Sequence, residues 1–202
     1  MELQPGLFLL SGYFDRDAQE SLREEIRVLV QGAPLFQPKM PKTGKPLSVR
    51  MSNCGSLGWV ADKAGYRYQA NHPDTNKPWP PIPQRLQTLW DDISQSDFAP
   101  EACLINYYAP DARMGLHQDR DESMFEAPVV SVSLGDDCRF RIGANTRGGP
   151  TKSFKLHSGD VLMMGGDSRL AFHGVDRIYP GTSTLLKAPG RINLTLRRVT
   201  AA

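Results

Sequence analysis

In residues 115–123, GLHQDRDES, a histidine stands two positions before an aspartate. On extended backbone, at or just past a strand end, that spacing aims His117 and Asp119 to the same side. A third donor of suitable type follows at His173, in LAFHGV. Two neutral imidazoles and one carboxylate on one face of a metal leave three positions for other ligands. Such a facial set suits Fe(II) and oxygenase chemistry. Taken alone, His-x-Asp is a weak signal, because a solvated surface pair satisfies it, and a lone histidine is often a hydrogen-bonded structural residue.

Two arginines change the weight of that pattern. Arg191 lies eighteen residues after His173, and Arg197 six after that, an even separation that keeps both guanidiniums on one face of a strand. Buried beside a metal, they would need anionic partners, because an unpaired buried charge is costly. A planar guanidinium binds a carboxylate in fork geometry, so a dicarboxylate co-substrate reaching from the metal to Arg191 fits the pair. Asn106 and Tyr108 share a side of an earlier strand and are placed to hydrogen-bond the same molecule. In RINLTLRRV, Ile192, Leu194 and Leu196 fall on one face and Arg191, Asn193, Thr195 and Arg197 on the other. The polar face looks either at solvent or into a polar interior. The pattern alone leans to solvent, and Arg197 with Arg198 also fits a solvated charge cluster.

These residues must be carried by strands. From residue 101 the apolar period is two, and short runs alternate with Gly, Pro and Asp turns: ACLINYY, PVVSVSLG, CRFRIG, SFKLHSGDVLMMG, RLAFHGV and RINLTLRRV. That spacing predicts a sandwich or jelly roll. Before it, a short apolar strand leads to Asp15, which can cap a helix with Ala18, Leu22, Ile26, Leu29 and Val30 on its inner side; the GAP at 32–34 stops it. A second helix is expected from about Pro83 to Gln95, with Leu86, Leu89, Trp90 and Ile93 inward. Residues 35–81, rich in Pro and Gly, read as turns and short ribbons.

Composition bounds the function classes. At 202 residues, 40% hydrophobic and 23% charged, the chain fits one soluble domain, 1–202. No apolar run approaches the roughly 20 residues of a membrane span, and the opening lacks a basic start and a small-residue cleavage site. The expectation is a cytoplasmic protein with no membrane partner. Cys54, Cys103 and Cys138 are an odd, scattered set without a CxxC pair, which predicts buried free thiols. The net charge of +2 conceals a polarity: residues 35–79 carry seven cations against two acids, leaving the rest at −3. One phosphate-facing surface would produce that asymmetry.

NYYAPDARMGLHQDRDE, APVVSVSLG, HSGDVLMMGGDSRLAFHGV and RINLTLRR, with SNCGSLGW and NKPWP upstream, make the chain resemble the AlkB family of Fe(II)- and 2-oxoglutarate-dependent nucleobase dioxygenases. The resemblance spans about residues 5–200. It implies an α+β, mainly β fold: a double-stranded β-helix (jelly roll) core at 101–200, two N-terminal helices packed on one sheet, and a nucleotide-recognition lid at 35–81. It implies His117, Asp119 and His173 as iron ligands, and Arg191 as the grip on the distal carboxylate of 2-oxoglutarate. Asn106, Tyr108, Asn193 and Arg197 would support the co-substrate. Trp59, Tyr66, Met51, Asp121, Arg120 and Ser168 would contact the substrate, with the base stacked between Trp59 and His117 after flipping from its strand. An acid at Asp121 would favour cationic lesions such as 1-methyladenine and 3-methylcytosine. The implied reaction is oxidative dealkylation of alkylated DNA with O₂ as co-substrate, single strands preferred and duplex or RNA as alternatives, by a monomer. Met163 and Met164 depart from the family, where an aromatic residue is frequent near the barrel mouth. His72 and His157 have no metal-ligand setting and are expected in surface or loop roles.

Overall fold

The structure, a computed structural model, describes residues 1–201. In chain order its elements are β1 (Glu2–Gln4), β2 (Leu7–Leu10), α1 (Arg16–Gly32), β3 (Arg50–Gly55), β4 (Gly58–Asp62), β5 (Gly65–Gln69) and α2 (Gln84–Ile93). There follow β6 (Ala102–Tyr108), β7 (Met114–His117), β8 (Val129–Gly135), β9 (Asp137–Ile142), β10 (Lys152–Leu156), β11 (Val161–Met164), β12 (His173–Tyr179) and β13 (Arg191–Arg197). They form a major sheet in the order β1-β2-β11-β8-β13-β6-β3, a minor sheet β10-β9-β12-β7, and the separate hairpin β4-β5. All pairings are antiparallel. The major and minor sheets are the two walls of a jelly roll.

The helices form where the apolar spacing places them. The Asp15 carboxylate accepts the Ala18 N–H at 2.9 Å, satisfying a donor that the first turn of α1 leaves free. Leu22 and Ile26 of α1 pack with Leu86, Leu89 and Trp90 of α2 against the outer face of the major sheet. The Trp90 indole N–H, buried with its ring, donates to the Phe98 carbonyl at 3.0 Å. Both helices therefore cover one sheet and contribute nothing to the interior.

Alternation does the rest. On β6, Cys103 and Ile105 face the helices, whereas Leu104, Asn106 and Tyr108 face the interior. On β13, Leu194 and Leu196 join the helix-side core, and Arg191, Asn193, Thr195 and Arg197 line the interior. The lean toward solvent for that polar face is thus corrected: Arg191 is completely buried. Its strand lies between β8 and β6, with α1 and α2 packed on one face and the minor sheet across a cavity from the other, so the polar stripe meets a polar interior.

The segment 35–81 needs a second correction. It is not lid throughout, since β3 is an edge strand of the major sheet, with Met51 opposite Asn106 and Cys54 opposite Cys103. What projects from the core is the hairpin β4-β5 and the turns around it, tied by bridges at Phe36–Met51, Lys39–Pro46 and Asn71–Pro78. The upstream GW and PWP motifs meet here: a Cβ on Gly58 would lie 2.4 Å from the Trp79 ring, so only glycine admits that indole. His72 is buried rather than on the surface. It packs edge-on to Phe36 and tilted against Trp79, and its Nδ1 accepts the N–H groups of Asp74 and Thr75. His157 is exposed beside Asp137. All three cysteines are buried free thiols, and no helix among the described residues is long and apolar enough to cross a membrane.

Candidate metal and co-substrate centre

His117 ends β7 and His173 begins β12, and the two strands pair with these residues directly opposite. Their rings stand 4.5 Å apart between centroids. Asp119, two residues past the end of β7, puts its carboxylate oxygens 3.6 Å from His117 Nε2 and 3.7 Å from His173 Nε2. One ligand atom from each of the three lies within 4.8 Å of the others. Both imidazoles are fixed from behind in the same way. His117 Nδ1 faces the Gly115 carbonyl at 3.0 Å and His173 Nδ1 faces the Ala171 carbonyl at 2.9 Å. A carbonyl only accepts, so each Nδ1 carries the proton and each Nε2 offers its lone pair toward the centre, the tautomer a metal requires.

Charge is arranged to match. Burial raises the Asp119 carboxyl, but Arg197, the two histidines and Arg169 outweigh it and hold the group well below the ordinary carboxylate range. Burial, then the neighbouring His117, pushes His173 down to about 4, so its imidazole is neutral and available. Arg197 sits 2.7 Å from Asp119 and 2.8 Å from Glu122. Glu122 is also bonded by the Tyr68 hydroxyl and by Arg169 at 3.3 Å, and Arg169 donates to the Asp119 carbonyl at 2.7 Å. The sequence did not single out Glu122, Tyr68 or Arg169. Only Glu122 left a trace, as the last acid of HQDRDE.

Arg191 provides the test for a co-substrate. Its guanidinium, wholly buried, bonds the Ser133 hydroxyl at 2.6 Å and the Asp136 backbone carbonyl at 3.3 Å. Its Nε has no partner, and no carboxylate among the described residues pairs with it. The nearby Asp136 carboxylate is committed to the N–H groups of Ser183 and Gly190. The buried amide oxygen of Asn106 is also unpartnered. A buried cation and an orphaned polar atom on the wall of a cavity of about 740 Å³ call for an anionic, hydrogen-bonding guest. The residues present fit iron and 2-oxoglutarate.

The cavity is also lined by Tyr108, Asn193, Thr195, Met51, Arg120 and Met164. Trp59 and Tyr66, from the hairpin β4-β5, stack at its mouth 5.6 Å apart with a 16° tilt, and Trp59 Nε1 donates to Asp121 at 2.8 Å. Met164 faces the cavity where the family departure was noted, while Met163 packs on the helix side. Ser168 is a correction, because it does not line the cavity. Its buried hydroxyl donates to the Pro5 carbonyl at 2.7 Å and accepts from Gln4, which ties the N-terminal strands to the barrel.

A jelly roll holding two oriented imidazoles, a depressed carboxylate and an anion-hungry arginine defines an Fe(II)/2-oxoglutarate oxygenase. The comparisons agree. The sequence pattern of the 2OG-Fe(II) oxygenase superfamily matches residues 6–197. A Caulobacter vibrioides protein named alpha-ketoglutarate-dependent dioxygenase AlkB homolog is 50% identical over 198 residues, covering 98% of this chain and 90% of its own. The Escherichia coli alpha-ketoglutarate-dependent dioxygenase AlkB is 42% identical over 92% of this chain and 87% of its own. Among solved structures, OsALKBH1 superposes with a TM-score of 0.84 at 32% identity, covering 98% and 99% of the two chains. The chain belongs to the AlkB family of these oxygenases, and is an Fe(II)- and 2-oxoglutarate-dependent dioxygenase.

Proposed function

We propose that this single-domain dioxygenase repairs N-alkylated nucleobases in DNA by oxidative dealkylation, prefers single strands, and works as a cytoplasmic monomer. The observation that carries the reading is the buried Arg191 without a carboxylate, lining the same cavity as an oriented His-Asp-His set on the facing wall, with two stacked aromatic rings at the mouth. His117, Asp119 and His173 would hold the iron; Arg191, with Asn106, Tyr108, Asn193 and Arg197 nearby, would hold 2-oxoglutarate. Bound together, iron and 2-oxoglutarate supply oxygen activation: O₂ converts 2-oxoglutarate to succinate and CO₂ and hydroxylates the alkyl carbon, whose hemiaminal releases an aldehyde and the free base.

The chain's own residues do the positioning. Arg197 neutralises Asp119 through Oδ2, the oxygen that also faces His173, and fixes its orientation. Ser133 and Asp136 hold the Arg191 fork in place before any anion arrives, so little ordering remains for binding. Trp59 and Tyr66 offer faces on which a flipped base can stack, a contact worth roughly 1–3 kcal/mol per base. Asp121 fixes the Trp59 indole and places a negative charge beside the base, which favours cationic rings. A lesion that cannot pair costs less to flip, so single strands and damaged sites are the cheapest substrates.

The test offers single-stranded DNA, duplex DNA and RNA, each carrying one 1-methyladenine, to the enzyme with Fe(II), 2-oxoglutarate and air. Mass spectrometry then follows loss of the methyl group. Fastest loss from single-stranded DNA supports the proposal. Faster loss from RNA would move the substrate class, because phosphate contacts carry no sugar identity.

A further inference from the structure

The outer face of the minor sheet carries a charge pattern that folding alone disfavours. On β9, Cys138, Phe140 and Ile142 point into the core and Arg139 and Arg141 point out. In register with Arg139 stand Lys155 of β10 on one side and Arg177 of β12 on the other. Three cations thus lie side by side across three neighbouring strands, where like charges directly opposite each other are destabilising. Strands are about 4.8 Å apart, so the row spans roughly 10 Å, and Arg141 stands about 7 Å from Arg139 along the strand.

Local compensation is partial. Arg139 pairs with Asp176 at 2.5 Å, and Asp137 is engaged with His157 at 3.0 Å. Lys155 lies over the Tyr179 ring at 4.8 Å, and Arg141 bonds only the Thr151 hydroxyl at 2.9 Å. Among the described residues Lys155, Arg177 and Arg141 meet no carboxylate within ion-pair distance. This face belongs to the part of the chain whose summed charge is negative, so its cations are concentrated there against the regional balance.

The row is continuous with the cavity. Arg141 is opposite Gly174, the residue after the metal-ligand candidate His173, on the far side of the sheet. Arg147, in the loop joining β9 to β10, lines the cavity and lies over Phe172 at 5.9 Å. Cations therefore run from the mouth at Arg147, past Arg141, to the Lys155–Arg139–Arg177 row.

We propose that this face is a second nucleic-acid contact, a track for the phosphodiester backbone beyond the nucleotide held in the cavity. The inference rests on the substrate being a nucleic acid, as argued above. The backbone is either the continuation of the damaged strand or its complement, and the two share one recognition chemistry.

The experiment compares the enzyme with the double variant Lys155→Gln/Arg177→Gln, both positions lying outside the cavity lining. Binding of a long single strand and of a long duplex is followed by fluorescence anisotropy over a salt series, and turnover is measured on a methylated trinucleotide. The variant is expected to match the parent on the trinucleotide and to melt no lower, since repulsion has been relieved. On long DNA the slope of log K against log salt should shrink by about 1.4 for single strands or about 1.8 for duplex, two phosphate contacts being lost. A change on both substrates assigns the face to the damaged strand, and a change on duplex alone assigns it to the complement. Unchanged slopes on both would overturn the proposal, as would a lower melting temperature, which would give the row a structural role. Failure of the parent enzyme on the trinucleotide would count against the substrate reading while the salt slopes still judged the face.

Discussion

Arg197 holds Asp119 at 2.7 Å, and with the same guanidinium holds Glu122 at 2.8 Å, so one cation joins a metal-ligand candidate to an acid that is itself completely buried in its side chain. Tyr68 extends this chain of contacts into the hairpin β4-β5, bonding both Arg197 and Glu122. The hairpin and the candidate metal centre are therefore parts of one buried polar network, in which each member depends on its neighbours.

Removing one link should be felt at both ends. Tyr68→Phe deletes a hydroxyl bonded to two charged groups, a loss of about 2 kcal/mol by the usual worth of such bonds. The expected result is a lower melting temperature together with faster hydrogen exchange in β4 and β5. Unchanged exchange in β4 and β5 would show that the hairpin is held by other contacts.

Arg191 makes an unusual stability prediction. Its charge is buried without a carboxylate, so Arg191→Gln should leave the protein without co-substrate at least as stable as the parent. The same variant should weaken 2-oxoglutarate binding about 100-fold, the equivalent of roughly 3 kcal/mol for a lost buried ion contact. Thermal shift with and without 2-oxoglutarate reads both. A variant still stabilised by the co-substrate would place the distal carboxylate elsewhere.

Asp121 bonds the Trp59 indole, and its proposed second role, favouring cationic bases, can be separated from the first by the choice of substrate. Asp121→Ala frees the Trp59 indole and also removes a negative charge from the mouth. Turnover of 1-methyladenine should fall further than turnover of a neutral etheno adduct. Equal losses would leave Asp121 with the indole alone.

Acid should unfold the metal-free protein through His173. With its folded value near 4 and an unfolded value near 6.5, the unfolded state binds more protons between those limits, so stability falls as pH falls through that window. The loss approaches about 3 kcal/mol by pH 4. Below the ordinary carboxylate range Asp119 adds to it, because its depressed value makes the folded state resist protonation. Urea melts at pH 7 and pH 5 should show the drop, and His173→Gln should remove most of it. An equal drop in that variant would assign the acid sensitivity to other groups.

Residue types marked His117, Asp119 and His173 only as weak candidates, which the family resemblance turned into a ligand set, while periodicity showed both helices and most strands after residue 101 but not the short β7. Alternation says which side chains share a face, but not what that face meets. The polar stripe of β13 therefore stayed open between solvent and interior until the minor sheet was seen to close over it. Contacts between distant segments left even less trace. Arg169 reaches Glu122 and the Asp119 carbonyl across some fifty residues, and Ser168 beside it serves the N-terminal strands. His72 does sit in a turn, among Pro, Asn and Asp, but the turn folds inward and its ring packs beneath the hairpin β4-β5 segment rather than on the surface. Local sequence shows that a turn exists, not which way it faces.

On the proposed reading His117, Asp119, His173 and Arg191 hold iron and 2-oxoglutarate for dealkylation of a base. The most direct measurement quantifies succinate and demethylated product together, from a short single strand carrying one 1-methyladenine, for the parent and for His117→Ala. Matched formation of both is expected from the parent, and neither from the variant. Methyl loss by folded His117→Ala at the parent's rate, or by the parent without succinate, would contradict it.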